Sequence, residues 1–297
     1  MAETWGHPYD SPRAFGESKN VWVITASNPG MMTGPGTNTY VVGRQDLAVI
    51  DPGPDLVDHV EAIASFGAHK IRWILVTHTH PDHAPGARRL ADLTGAELLG
   101  FEARDGFVPD ETIGDSFSLE LPEGVLRAIY TPGHASNHLC YLFEPDGVLF
   151  SGDHVMDGST VVIAPPDGDM KDYLASLAFL RDSTLHLASI APGHGNKIES
   201  PRDKLDEYIT HRARREAAIL ESLHHRSRAL IEEIVSDVYV DVPDFLHPIA
   251  KYSVWAHLRK LRGDHAVEFN QSSQVEGDLR SPGPTNEELG GTWYLSS

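Results

Sequence analysis

"ILVTHTHPDHAPG", residues 74–86, places three histidines and an aspartate within six positions, directly behind an apolar run. Side chains two apart in a strand share a face, so His78 and His80 project together if the strand continues that far. Pro81 cannot donate to a ladder, which puts Asp82 and His83 on a loop able to curl back over the strand end. Four ligand-type side chains then converge on one small volume. Neutral imidazole with carboxylate suits Zn(II), Fe(II) or Mn(II). A lone histidine here would read as an ordinary surface residue, whereas the order H-x-H-x-D-H reads as a metal site.

Three later stretches repeat the theme of a strand-like run ending in a turn that carries one ligand type: "YTPGHAS" with His134, "LFSGDHV" with Asp153 and "IAPGHGN" with His194. Loops at one edge of a sheet share a crevice, a usual place for a site. Five histidines and two aspartates suffice for two ions, with the isolated Asp153 placed to bridge them. Asp51, closing "LAVIDPG", is either an anchor for the far nitrogen of a ligating imidazole or a turn residue before Pro52. His138 and His154 lie close enough in sequence to serve as proton donors. The plainer reading makes His138 a strand residue and turns His154 away from the metals. His59, His69, His186, His224 and His225 read as solvated.

Further strand-like runs, among them "NVWVIT", "NTYVVG" and "HLCYLF", fill the first two thirds of the chain and end mostly in Gly, Pro or Asp. "IRWILV" reads as a central strand covered on both faces. "DLVDHVEAIASFG" is helical, with Leu56, Val57, Val60, Ile63 and Ala64 on one face. These alternations predict an α/β fold with helices outside its sheets. After about residue 200 the pattern becomes helical, with Ile209, Ala213, Ala217, Leu220 and Leu223 three or four apart. The expected organisation is an N-terminal extension over 1–19, a catalytic domain over 20–200, a small helical domain over 201–270 and a loosely ordered polar tail over 271–297. "GTNTY", residues 36–40, either shapes the site or only turns between strands.

Forty-three acidic against 24 basic residues leave a net charge of -19, which disfavours non-specific binding of polyanions. The single cysteine, Cys140, excludes an internal disulfide, reads as a buried strand residue and fits a reducing compartment. With no apolar run of about 18 residues and no basic leader, the expected location is the cytoplasm and no membrane contact is expected.

Together, H-x-H-x-D-H, "TPGH", "SGD" and "PGHG" resemble the metallo-β-lactamase fold superfamily, which implies a four-layer αββα sandwich. Carried over, His78, His80 and His134 match the ligands of a first metal. Asp82, His83 and His194 match those of a second, and Asp153 the bridge. The resemblance implies a dinuclear zinc hydrolase, with Fe or Mn as other candidate metals. Two cations about 3.5 to 4 Å apart would activate a water between them, and Asp82 would orient it as a catalytic residue.

"NPGMMTGPGTNTYVVG", "HRARREAAIL" and "VPDFLHPIAKYSVWAHLRKL" are similar to the β-lactamase-like protein 2 family, which implies a C-terminal winged-helix-like domain. Single-stranded RNA and acyl thioesters, as in glyoxalase II-like enzymes, are then the open substrate classes. Arg212, Arg214, Arg215, Arg226 and Arg228, with Lys251, Arg259, Lys260 and Arg262, form either a basic binding face or solvated faces balanced by Glu216, Glu221, Glu232 and Glu233. A reading from another class makes this appendage a nucleic-acid-binding or partner-docking module beside a structural metal site.

Overall fold

The structure, a computed structural model, describes residues 10–270 and 285–296. A seven-stranded sheet follows chain order: β1 (Arg13–Ala14), β2 (Val21–Thr25), β3 (Asn38–Val42), β4 (Leu47–Ile50), β5 (Ile71–Leu75), β6 (Glu97–Gly100) and β7 (Glu111–Thr112). Its first four strands are antiparallel, and β4 to β7 run parallel. The parallel connections need crossovers. Helices α1 (Val57–Gly67) and α2 (Gly86–Thr94) supply those from β4 to β5 and from β5 to β6.

A second sheet is built from β8 (Ser118–Leu121), β9 (Gly124–Tyr130), β10 (Leu139–Phe143), β11 (Val148–Gly152) and β12 (Ser189–Pro192), in the order β12-β11-β10-β9-β8. Only β11 and β12 are parallel, and α3 (Met170–Asp182) lies between them in the chain. There follow α4 (Pro201–Arg226), α5 (Ile231–Val238), a 3-10 turn at Asp244–Leu246, α6 (His247–Gly263), β13 (Val267–Asn270), α7 (Thr285–Gly290) and β14 (Thr292–Leu295).

The chain divides into two compact units. One comprises Met1–Thr131, Asn137–Val161 and Leu180–Lys204, and the other Pro132–Ser136, Val162–Phe179 and Leu205–Ser297. In the first unit the two sheets share one apolar core, where Tyr40, Ile50 and Leu75 meet Leu126, Tyr141 and Phe150. The Tyr40 and Phe150 ring centroids are 5.1 Å apart. On its other face the first sheet packs Val41, Val49, Ile74 and Leu98 against Val60, Ile63, Ala87 and Leu90 of α1 and α2. β5 is interior to its sheet and buried in its last two residues, whereas Arg72 is exposed and Trp73 half-buried.

Helix α1 corrects one expectation. Its buried residues are His59, Val60, Ile63 and Gly67, while Leu56 and Val57 are exposed. His59, Ile63 and Gly67 are spaced by four and so share a face. His59 is therefore a core residue and not a solvated one, whereas His69, His186, His224 and His225 are exposed as expected.

The second unit has its own core, in which Ile231, Ile234, Val235 and Val238 of α5 meet Val254, Trp255 and Leu258 of α6 and Trp293 of β14. On α4 the buried positions are Pro201, Leu205, Tyr208, Arg212, Ile219, Ser222 and Leu223, while Ala213 and Ala217 are exposed. An aromatic ring explains the shift, because the Arg212 guanidinium lies 5.4 Å from the Tyr173 ring centroid. The tail expected to be loose ends in order: β14 pairs antiparallel with β13, and Trp293 is wholly buried. Residues 271–284 of that tail lie outside the described residues. Among the described residues, no helix is long and apolar enough to cross a membrane.

Candidate metal centre

The site of the first unit lies at the ends of β5, β11 and β12. Beyond β5 the chain turns back on itself, with His83 N–H donating to the His80 carbonyl at 3.0 Å. Pro81 sits at the apex of that turn, as its missing donor predicts. Asp153 follows β11 and His194 follows β12. The ligand atoms of Asp82, His83, Asp153 and His194 all lie within 4.8 Å of one another. His83 Nε2 is 3.6 Å from Asp82 Oδ2 and 3.4 Å from Asp153 Oδ1. His194 Nε2 is 3.1 Å and 3.3 Å from the same two oxygens. Both Nε2 atoms are buried and neither makes an aligned hydrogen bond. Buried polar atoms are rarely left so, and two nitrogens facing two carboxylates are the donor set a divalent cation takes. The residues fit a metal ion.

Hydrogen-bond accounting fixes which nitrogen of each imidazole is available. Asp51 is buried, and Oδ1 accepts Thr77 N–H at 2.7 Å. Its Oδ2 accepts Thr77 Oγ1–H and His83 Nδ1–H, both at 2.8 Å. The Thr77 proton is thereby committed, so at 3.0 Å Thr77 Oγ1 accepts Nδ1–H of His78. With Nδ1 of both His83 and His78 committed to these donations, Nε2 is the atom each turns towards the site, and His78 Nε2 lies 2.9 Å from His80 Nδ1. Asp51 thus anchors imidazoles, as one of its two readings held. The fourth predicted histidine ligand, His134, lies in the second unit, where its Nδ1–H donates to the Val162 carbonyl at 2.9 Å. Gly133, at φ 136°, permits that turn, because a Cβ there would meet Tyr173 Cα at 2.3 Å.

"GTNTY" shapes the site. His194 Nδ1–H donates to the Gly36 carbonyl at 3.2 Å. Asn38 Nδ2–H donates to the carbonyls of Pro192 and Gly195 on either side of His194, at 3.1 and 3.0 Å. Tyr40 Oη–H donates to Pro192 O at 2.8 Å. Gly193 is required for closeness, since a Cβ would come within 2.7 Å of both Asp153 Oδ1 and His83 Cε1. Sequence reasoning missed Thr77 and Asn38 as supports, although a buried polar residue beside a metal motif is the signal that finds such groups.

The charges are strongly coupled. Burial opposes protonation of His83, yet Asp153, Asp82 and Asp51 outweigh it and hold the imidazole well above its usual range. Burial likewise opposes charge on His194, and Asp153 with Asp82 still raises it to about 9. Burial favours the neutral acid at Asp153, but His194 and His83 pull it well below the usual carboxylate range. Asp82 is lowered too, as His83 and His194 overcome its burial. Without an ion, protons on the histidines neutralise the carboxylates.

His138, just before β10, is buried and hydrogen-bonded through Nδ1 to Thr131 Oγ1 at 3.0 Å. His154 is also buried, with its ring 5.8 Å from that of His138. Cys140 is buried on β10, and burial raises its thiol to about 12. Six of the cationic side chains of the second unit are matched by acids. Arg215 pairs with Asp241 at 3.1 Å, Arg226 with Asp237 at 2.6 Å and Lys251 with Glu232 at 2.5 Å. Lys260 pairs with Glu216 at 3.0 Å, and Arg262 and Arg259 meet Glu288 at 3.1 and 3.5 Å.

The pattern of the metallo-beta-lactamase superfamily matches residues 32–194, and that of the beta-lactamase associated winged helix domain matches 231–274. The chain is 32% identical over 257 residues to a beta-lactamase-like protein 2 homolog of Caenorhabditis elegans, covering 82% of this chain and 85% of the relative. It is 31% identical over 283 residues to an atrochrysone carboxyl ACP thioesterase of Aspergillus fumigatus, covering 88% and 86%. The fold is shared with a beta-lactamase domain protein from Burkholderia ambifaria, at a TM-score of 0.76 and 18% identity, over 97% of this chain and 94% of that one. These matches cover most of the chain, which belongs to the metallo-beta-lactamase superfamily of hydrolases.

Proposed function

We propose that this protein is a cytoplasmic dinuclear zinc hydrolase acting on acyl thioesters. The observation that carries the metal reading is the pair of buried Nε2 atoms, on His83 and His194, turned towards two carboxylates without hydrogen-bond partners. In this reading His78, His80 and His134 would hold one ion, Asp82, His83 and His194 would hold the other, and Asp153 would serve as a ligand to both. Such ions supply Lewis acidity, lowering the pKa of water towards neutrality and polarising an acyl oxygen. Asp82, half-buried and ionised, accepts a hydrogen bond from the attacking water and orients it. Cys140 is excluded as a nucleophile, because a thiol raised to about 12 and buried within a sheet is neither ionised nor reachable.

Chemistry and charge favour the thioester over RNA. A thiolate leaves at neutral pH with little proton assistance, since thiols ionise near 8.5. Arg215, Arg226, Lys251, Arg259, Lys260 and Arg262, six of the cations that would draw an RNA strand, are held in ion pairs on a chain of net charge -19. A relative 31% identical is named a thioesterase. The test is side-by-side turnover of a glutathione thioester, single-stranded RNA and a chromogenic β-lactam, with Asp82→Asn as the blank. Thioester turnover that vanishes in the blank supports the reading. RNA cleavage without thioester turnover overturns the substrate class, and an Asp82→Asn protein with unchanged turnover overturns the mechanism.

A further inference from the structure

Two hydrogen-bond chains run from the start of the described residues to the backbone beside the imidazoles of His83 and His194: to the carbonyl of Asp51, whose side chain accepts from His83, and to the carbonyls that flank His194. The first begins at Asp10, whose Oδ1 lies 2.7 Å from His59 Nδ1. His59 is wholly buried, and its Nε2 is 2.9 Å from Thr39 Oγ1. Thr39 Oγ1 is 2.6 Å from the Asp51 carbonyl. A carbonyl only accepts, so the single Thr39 proton goes there and Nε2–H of His59 must donate to Oγ1. The other nitrogen, Nδ1, then faces the Asp10 carboxylate at 2.7 Å; burial holds the imidazole below its usual range, and Asp10 opposes that shift. This chain ends on the main chain of Asp51, which holds a left-handed φ of 51° while its side chain accepts from His83. A non-glycine residue at such a φ is kept there by its surroundings.

The second chain begins three residues later. Arg13 Nη2–H donates to Thr25 Oγ1 at 2.7 Å, and Thr25 Oγ1–H donates to Asn38 Oδ1 at 2.9 Å. Asn38 Nδ2–H then donates to the two carbonyls that flank His194. Every donor and acceptor in this chain is used in one consistent direction. The two chains share a root, since Asp10 N–H donates to the Thr25 carbonyl at 3.0 Å.

We infer that Asp10 and Arg13 are positioning residues of the metal centre: the segment that carries them is a strap, one end of which orients His83 through His59, Thr39 and Asp51, the other His194 through Thr25 and Asn38. Neither residue touches the ligands, so the strap sets geometry without joining the chemistry. The inference rests on the reading of His83 and His194 as ligands.

The test uses the full-length chain, free of metal, with the two Nδ1–H protons followed by NMR. Asp10→Ala speeds solvent exchange at His83 by about tenfold, the worth of one hydrogen bond to a charged group, and leaves His194 unchanged. Arg13→Met does the reverse. Asp10→Asn restores His83, because its amide can donate to Nδ1 of a neutral His59 while Nε2–H still reaches Thr39. Competition with a chromogenic chelator then gives zinc affinities, expected to weaken in Asp10→Ala and Arg13→Met and to recover in Asp10→Asn. Equal disturbance of both histidines by either variant, or none by both, overturns the strap. A wild-type chain that takes no zinc yet shows the selective exchange pattern overturns the metal reading and leaves the strap standing.

Discussion

Replacing Asp51 with asparagine leaves the side chain the same size but reverses two of its three hydrogen bonds. The wild-type carboxylate accepts three hydrogens, from Thr77 N, Thr77 Oγ1 and His83 Nδ1, at 2.7, 2.8 and 2.8 Å. Asparagine keeps one oxygen for Thr77 N–H, and its amide then points hydrogens at two groups that are themselves donors. His83 can relieve the clash only by giving up its Nδ1 proton and keeping one on Nε2, the atom the metal would need. Thr77 must also turn its hydroxyl, which removes the acceptor holding His78.

One substitution therefore disturbs an imidazole in each ligand group of the first unit. Loss of such an outer support costs about 10- to 100-fold in metal affinity, or about 1.4 to 2.7 kcal/mol. The fold should survive, because asparagine tolerates the left-handed φ at this position. Chelator competition on wild type and Asp51→Asn measures the affinity, and circular dichroism checks the fold. A folded Asp51→Asn protein that binds metal as tightly as wild type would refute the proton assignment on which the site is built.

Other outcomes follow from the same contacts. In the metal-free chain His83 and His194 are raised, His194 to about 9. Their folded values exceed the unfolded one of about 6.5, so their stabilisation is complete below that pH and lost as pH rises through about 9. The metal-free melting temperature should fall between pH 7 and 10. Zinc binding at pH 7 should release about two protons, read by calorimetry in buffers of different ionisation enthalpy; release near zero would contradict the charge state. Gly193→Ala drives a methyl between Asp153 and His83, and should reduce zinc affinity at least as much as Asp51→Asn. Asp82→Asn should keep its melting temperature while turnover falls by orders of magnitude, the reverse of what a purely structural metal site would give.

The candidate ligands were legible in the sequence because such a site concentrates chemically distinctive residues at strand ends, where turns mark their places. Their supports were not, because hydrogen-bond partners are chosen by register. Asn38 reaches Pro192 across 154 residues, a pairing no local pattern encodes. His59 was misread for a related reason: helical periodicity was judged from Leu56 and Val57, and a histidine four before Ile63 was passed over as polar. The charges of the second unit could be read either way, since pairs such as Lys260 with Glu216 and Arg215 with Asp241 form between positions 44 and 26 apart.

The central claim is that the two ligand groups each take a divalent ion and that turnover depends on both. Metal content of the purified chain by inductively coupled plasma mass spectrometry, paired with thioester turnover before and after chelation, tests it most directly. The account predicts about two equivalents of zinc per chain, loss of turnover on their removal and recovery on their return. A chain stripped of metal that still hydrolyses its substrate at the original rate would contradict it.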